Sequence, residues 1–94
     1  GRVCVMTFSE FGRRAGENGS AGTDHGAAAP VLLYGGGLAG GSVGSLPSLE
    51  GLDDGNLRHL LDFRRVYAGV LRDWLGVDPV RVLGPGFDPL PLFR

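Results

Sequence analysis

Short apolar runs alternate with long glycine-rich stretches along this chain. Val3 to Phe8 is an almost unbroken apolar, β-favouring run, and a second such run begins at Pro30 and ends at Tyr34. Runs of this kind are typical of strands that are covered on both faces, as in a parallel sheet. We therefore predict two buried strands, with a long loop from Ser9 to His25 between them.

One later stretch has the period of an amphipathic helix. Asp62 can serve as its N-cap, Gly76 as the left-handed residue after its last turn, and Asp78-Pro79 as its stop. The apolar residues between these signals fall on one stripe: Phe63, Val66, Tyr67, Val70, Leu71, Trp74 and Leu75. We predict a helix from Phe63 to Leu75 that packs this stripe on the sheet and buries Trp74.

The remaining segments are short or irregular. Leu57 to Leu61 favours a short strand over a helical turn, and Pro79 to Leu83 predicts one more helical turn. The tail from Gly84 to Arg94 is rich in proline and is predicted to be irregular. The run from Gly35 to Gly44 could cradle phosphate with its N–H groups, but it lacks the Gly-Lys-Ser/Thr ending of a P-loop, so a turn is favoured.

Length and charge narrow the classes of function. The 94 residues form one domain at most, with a small core. A net charge of -1 leaves no basic face able to attract nucleic acid by charge alone, and no apolar run reaches the length of a membrane span. Because buried strands need neighbours on both edges, the apolar start favours a chain that is truncated upstream.

Four polar residues near the predicted strand ends are candidates for chemistry. Glu10 follows the first strand, where ligands bind in open α/β sheets, although a surface ion pair with Arg13 or Arg14 explains it equally well. Asp24 and His25 could close on a divalent ion, Asp24 could instead orient the His25 ring, or both could be solvated loop residues. Arg13 could help to hold an anionic substrate.

Several motifs in sequence order resemble a known family. They are Val5–Arg13, Gly22–Gly26 and Pro30–Gly37, extended by Asp62-Phe63-Arg64, Val66-Tyr67 and Trp74–Pro79. Together they resemble the C-terminal end of the domain-of-unknown-function family numbered fifteen-oh-one. That family is sulfatase-like, belongs to the alkaline phosphatase and sulfatase superfamily, and often carries a twin-Arg export signal.

The resemblance implies both a fold and a function. The fold would be α/β, with residues 1–94 as the C-terminal portion of one three-layer sandwich whose upstream part is missing. The chain would be part of a metal-dependent hydrolase of sulfate or phosphate esters, in which zinc, manganese, calcium or magnesium acts as a Lewis acid. The alternative is a non-catalytic exported binding or scaffold protein that retains the sulfatase-like fold.

The resemblance also assigns roles to residues. Superfamily members have an Asp-His-Gly motif whose Asp and His bind metal, and a later metal-binding His before a Pro-led strand. Glu10-Phe11-Gly12 falls at the first position and His25 at the second. Glu10, Asp24 and His25 would then be metal ligands or their supports, and Arg13 a substrate contact. Phe11 stands where a ligating His is usual, which implies a single-metal or altered site, and the nucleophile would lie upstream.

Overall fold

The computed structural model describes residues 2–44, 49–52, 56–57 and 61–94. Within them lie four short strands and two helices: β1 (Val5–Met6), β2 (Gly12–Arg13), β3 (His25–Gly26), β4 (Leu33–Tyr34), α1 (Phe63–Asp73) and α2 (Pro79–Leu83). The strands form two two-stranded sheets, β1 with β4 and β2 with β3. The described residues therefore have a small mixed fold, and no three-layer sandwich is present among them.

The chain divides into two compact units. One, which we call the helical unit, comprises Gly1–Cys4, Tyr34–Val43 and Leu61–Arg94, and the other, the strand unit, comprises Val5–Leu33 and Gly44–Leu60. Neither helix is long and apolar enough to cross a membrane. The predicted strand at Leu57 to Leu61 falls largely on positions 58–60, which lie outside the described residues.

The two predicted strands exist, but they are much shorter than predicted and are not buried. Within the two apolar runs, regular strand structure covers only the two residues of β1 and the two of β4. Val3 is 69% exposed and Phe8 is 78% exposed. The prediction of strands covered on both faces is wrong for this structure, because large apolar side chains in both runs, among them Val5, Leu32 and Tyr34, are at least half exposed. Thr7 contributes twice to the pairing, since its N–H donates to the Leu32 carbonyl at 2.9 Å and its hydroxyl accepts from the Leu32 N–H at 2.9 Å.

The predicted loop from Ser9 to His25 contains parts of a second sheet that the sequence analysis missed. β2 and β3 are antiparallel, with Gly12 opposite Gly26 and Arg13 opposite His25. A Cβ on Gly12 would stand 1.7 Å from the Ala28 carbonyl oxygen, and one on Gly26 would stand 2.6 Å from the carbonyl carbon of Arg13. Both positions therefore require glycine, since no larger residue leaves room for the neighbouring backbone.

Helix α1 begins where it was predicted and ends two residues earlier, at Asp73. The Asp62 side chain accepts from the Arg64 N–H at 2.9 Å, which confirms the N-cap. Gly76 adopts a φ of +66°, which confirms its left-handed role. The predicted turn at α2 is also confirmed, with Asp78 as its N-cap and Pro79 in its first turn.

The buried face of α1 differs from the predicted stripe. Val66 on the stripe is buried, but Phe63 is 54% and Leu75 58% exposed. The most enclosed positions instead include Ala68, at 0% exposure, and the adjacent Gly69. Trp74 was predicted to be buried, but it is half-buried and stacks on Phe93 with 5.6 Å between the ring centroids. The reason is that the tail, and no sheet layer, covers this helix within the helical unit.

The tail from Gly84 to Arg94 lies against the helix in a defined path. Leu90 donates its N–H to the Arg65 carbonyl at 3.2 Å, and the Arg65 Nε donates to the Asp88 carbonyl at 3.1 Å. Leu90 and Leu92 are both buried. The tail is irregular, as predicted, but it supplies two of the four buried hydrophobic side chains among the described residues.

The glycine-rich segment forms a turn, as predicted, and pairs with the end of the tail. Leu38 donates to the Gly35 carbonyl at 3.3 Å across the turn. Leu38 and Phe93 form an antiparallel bridge, and the Arg94 N–H donates to the Gly37 carbonyl at 2.9 Å. The backbone groups at this turn thus bind the tail.

We expect Gly69→Ala to destabilise the protein, although alanine is the better helix former by about 1 kcal/mol. The added Cβ would stand 2.4 Å from the Leu90 carbonyl oxygen, so the tail must move. Overpacking of this kind costs about 1–3 kcal/mol, which should appear as a net loss in urea unfolding. Gly37→Ala is the matched control, because its Cβ would meet only ordinary contacts at 3.5 Å and beyond. A more stable Gly69→Ala variant would contradict the described packing of Leu90.

Candidate functional site

The sheet of β2 and β3 places two of the predicted site residues side by side. Arg13 and His25 are direct partners in this antiparallel register. Side chains of directly opposite residues lie on the same face, with Cβ atoms about 4.5–5.5 Å apart. A guanidinium and an imidazole that were twelve positions apart in sequence therefore share one small surface.

An aromatic ring supports both groups. The His25 ring lies flat on the Phe11 ring, with 3.5 Å between centroids and 13° between planes. The Arg13 guanidinium carbon lies 5.1 Å from the centroid of the same phenyl ring. We call Phe11, Arg13 and His25 the Phe11 cluster; in it, a half-buried phenyl ring orients an imidazole and attracts a cation through its π face.

Arg13 is also fixed by the backbone. Its Nη1 donates to the Thr23 carbonyl at 2.7 Å, within the turn that leads into β3. Thr23 stands two residues before His25, so the bond ties the guanidinium to the segment that carries the imidazole. No other hydrogen bond joins the Arg13 side chain to a described residue, which leaves its remaining N–H groups for solvent or a ligand.

Asn18 organises the loop between the two strands, and the sequence analysis did not single it out. Its Oδ1 accepts from the N–H groups of Ser20 at 2.9 Å and Gly22 at 3.0 Å, and its Nδ2 donates to Asp24 Oδ1 at 3.0 Å. Asn-Gly is a strong turn signal, and Asn side chains commonly bond to nearby backbone. That signal in Asn18-Gly19 could have identified the loop.

The two predicted carboxylate ligands, Asp24 and Glu10, have different surroundings in the structure. Asp24 binds Asn18 through one carboxylate oxygen, and its carbonyl accepts from the Arg14 N–H at 3.0 Å. Glu10 is exposed, and no hydrogen bond or ion pair joins it to another described residue. The predicted surface pair of Glu10 with Arg13 or Arg14 is therefore not formed.

The described residues do not by themselves fit a metal centre. Carboxylate and imidazole are suitable ligands for zinc or manganese. Among the residues that the structure describes, however, no three His, Cys, Asp or Glu side chains are grouped so that they could hold an ion. The metal roles of Glu10, Asp24 and His25 remain predictions, and we derive no chemical step through a metal.

The Phe11 cluster is suited to binding an anion. Arg13 carries a permanent positive charge, and its planar donor fork matches the oxygens of sulfate and phosphate groups. His25 is exposed, and its ring nitrogens form no hydrogen bond with any residue in the described part of the chain. An imidazole in such a position can donate a hydrogen bond to an anion.

Comparison with known proteins gave one match. The model of the family described as "Protein of unknown function (DUF1501)" matches residues 2–82. No curated protein and no solved structure matches the chain. The matched region includes the whole Phe11 cluster and α1 but stops before the tail.

We expect Phe11→Leu to change the magnetic environment of His25. A phenyl ring stacked at 3.5 Å shields the imidazole protons, and leucine has no ring to do so. The His25 ring proton resonances should therefore move downfield in the variant, which proton NMR can measure. His25→Gln assigns the resonances, because the sequence contains only two histidines, and His59 is the internal reference. Unchanged His25 resonances would exclude the stack.

Proposed function

We propose that this chain, which belongs to the family described as proteins of unknown function (DUF1501), forms part of a metal-dependent hydrolase of sulfate or phosphate esters. In this proposal the chain supplies contacts to the anionic group of the ester. The observation that carries it is the placement of Arg13 opposite His25, with both groups held by the Phe11 ring.

Arg13 binds the anionic group in this proposal. The bond to the Thr23 carbonyl uses one N–H of the guanidinium and fixes its direction. Its other N–H groups can then form charge-assisted hydrogen bonds to sulfate or phosphate oxygens. Because the guanidinium is already positioned, little side-chain entropy is lost when the anion binds.

His25 acts beside Arg13 on the same face. The imidazole stacks on the Phe11 ring with 13° between the planes, which restricts the orientations that the imidazole can adopt. From there the imidazole can donate a hydrogen bond to the ester or transfer a proton to or from it. In this proposal, other polypeptide supplies the nucleophile and completes the three-layer sandwich of the superfamily.

The proposal includes a divalent cation, which would be zinc, manganese, calcium or magnesium. This cation would need further ligands from outside the described residues. Its support is the resemblance, which implies that Phe11 and His25 stand at two metal-binding histidines of the superfamily, together with the contact between the two rings. A phenyl ring cannot ligate, so His25 with Glu10 or Asp24 would have to be joined by groups from elsewhere.

One observation favours a second candidate function. The resemblance implies that Phe11 stands where a ligating histidine is usual, and the described residues contain no group of three metal-binding side chains. A binding or scaffold protein that recognises anionic groups without cleaving them would keep Arg13 and lose the need for the metal. The two candidates share the anion contact and differ in turnover.

We expect Arg13→Ala to weaken the binding of an anionic ester by the full-length protein. Loss of a charge-assisted hydrogen bond costs about 1.5–3 kcal/mol, roughly a tenfold to hundredfold rise in Kd. Binding and turnover of nitrophenyl sulfate and nitrophenyl phosphate would be measured, with Arg81→Ala in α2 as the matched control. Binding without turnover would select the scaffold candidate, and equal binding by wild type and Arg13→Ala would contradict both candidates.

We expect Phe11→His to raise the affinity of the full-length protein for zinc. The substitution places a second imidazole where the phenyl ring now touches His25, and two neutral imidazoles are strong zinc ligands. Calorimetric titration with zinc and manganese would compare this variant with Phe11→Leu, which removes the ring without adding a ligand. In the wild type, His25→Ala and Glu10→Gln should each lower metal content if the proposed cation is present. Equal zinc affinities of Phe11→His and Phe11→Leu would refute the correspondence of these positions with the superfamily's ligands.

A further inference from the structure

We propose that Asn18-Gly19 is a site of spontaneous deamidation, and that its conversion loosens the loop that carries Asp24 and His25. The proposal rests on the contacts of the Asn18 side chain and does not depend on the proposed hydrolase function. Asparagine is a thermolabile residue, and glycine after it removes the side chain that would otherwise hinder attack by the following backbone nitrogen. Gly19 is exposed, and nothing lies within 4 Å of where its Cβ would stand.

The hydrogen bonds of Asn18 prepare its amide for this reaction. Two backbone N–H groups, those of Ser20 and Gly22, donate to Oδ1 at 2.9 and 3.0 Å. Paired backbone donors of this kind stabilise the negative charge that develops on a carbonyl oxygen under attack. Nδ2, the atom that must leave, donates to Asp24 Oδ1 at 3.0 Å.

The reaction requires only water in addition to the chain. The Gly19 nitrogen attacks Asn18 Cγ and loses its proton, the Cγ–Nδ2 bond breaks, and Nδ2 departs as ammonia after solvent delivers a proton to it. The product is a five-membered succinimide. Water then opens this ring at either carbonyl, which gives aspartate or isoaspartate at position 18. No oxidation or reduction occurs, since an amide and water become an acid and ammonia.

The product cannot maintain the contact with Asp24. A carboxylate at position 18 has no N–H to donate, and it would place a second negative charge beside Asp24 Oδ1, where like charges repel. Isoaspartate also lengthens the main chain next to the Asn18 N–H, which now donates to the Gly22 carbonyl at 2.7 Å. Either product therefore disturbs the turn that ends at Asp24 and leads directly into His25.

The chain provides its own internal control for the reaction. Asn18 and Asn56 are the only side-chain amides in the sequence, and Asn56 is followed by Leu57 rather than glycine. Within the described part of the chain, Asn56 Oδ1 accepts one backbone bond, from the Ala27 N–H at 3.2 Å. Trypsin cuts after arginine, so one peptide, residues 15–58, carries both amides and allows both to be read in one fragmentation spectrum.

The experiment incubates the full chain in mildly alkaline buffer and follows both amides by mass spectrometry. We expect the mass increase that accompanies conversion of an amide to an acid to appear at Asn18 well before Asn56. Aspartate and isoaspartate should form as separable products. The Gly19→Ala substitution should strongly suppress the conversion of Asn18. Conversion of Asn18 no faster than that of Asn56, or an unchanged rate in Gly19→Ala, would overturn the assignment of the site.

A second measurement tests the consequence for the loop. Asn18→Asp imitates one product and should lower the hydrogen-exchange protection of the Arg14 N–H, which bonds to the Asp24 carbonyl at 3.0 Å. Asn56→Asp is the matched control and should leave that protection unchanged. Equal protection in wild type and Asn18→Asp would overturn the proposed loosening even if deamidation is observed.

Discussion

Contact between backbone segments at glycine positions is the constraint on which both units of this protein depend. In the strand unit, Gly12 faces the backbone of Ala28 and Gly26 faces that of Arg13, at distances that leave no room for a Cβ. In the helical unit, Gly69 meets the backbone of Leu90 in the same way. Because few side chains are fully buried, these approaches and their hydrogen bonds hold the segments in register where larger domains would use a packed core.

The start of α1 shows how one polar residue can connect local and distant structure. Asp62 caps the helix through the Arg64 N–H, and its two carboxylate oxygens also receive the Arg64 side chain, at 2.9 and 2.7 Å. The side-chain hydrogen bonds to Asp62 raise the pKa of Arg64 above its ordinary value. The same guanidinium lies 4.3 Å from the centroid of Phe87 at the beginning of the tail. The cap therefore positions a cation that contacts the segment covering the helix.

The candidate site depends on the same close approach of strands. The glycine pair of Gly12 and Gly26 allows β2 and β3 to meet, and this meeting makes Arg13 and His25 neighbours. Phe11, one residue before Gly12, then reaches the His25 ring. The two rings form an aromatic stack with 13° between their planes. The Arg13 guanidinium carbon lies 5.1 Å from the centroid of the same Phe11 ring, so one phenyl ring contacts both side chains.

Local signals in the sequence were sufficient for the helices and turns. Asp62 and Asp78 as caps, Gly76 in a left-handed conformation and the glycine-rich turn all involve residues within a few positions of one another, so their physical causes are visible in the sequence. The motif residues also identified the family, which the match over residues 2–82 shows. Candidate site residues could be named from residue type and position.

Their contacts could not be predicted, because those contacts depend on which distant segments meet. An apolar run such as Val3 to Phe8 indicates a strand but does not specify whether another layer covers it, and here Val3 and Phe8 stay exposed. The helical stripe likewise predicts an amphipathic helix but not which face the tail occupies, and the tail selects Gly69 because only glycine admits the Leu90 backbone. The sequence by itself determined the helices, their caps and the set of chemical groups. Only the tertiary structure decided that the His25 ring lies on Phe11 and that Asp24 binds Asn18, since both contacts require strand pairing and loop closure between residues that are not sequence neighbours.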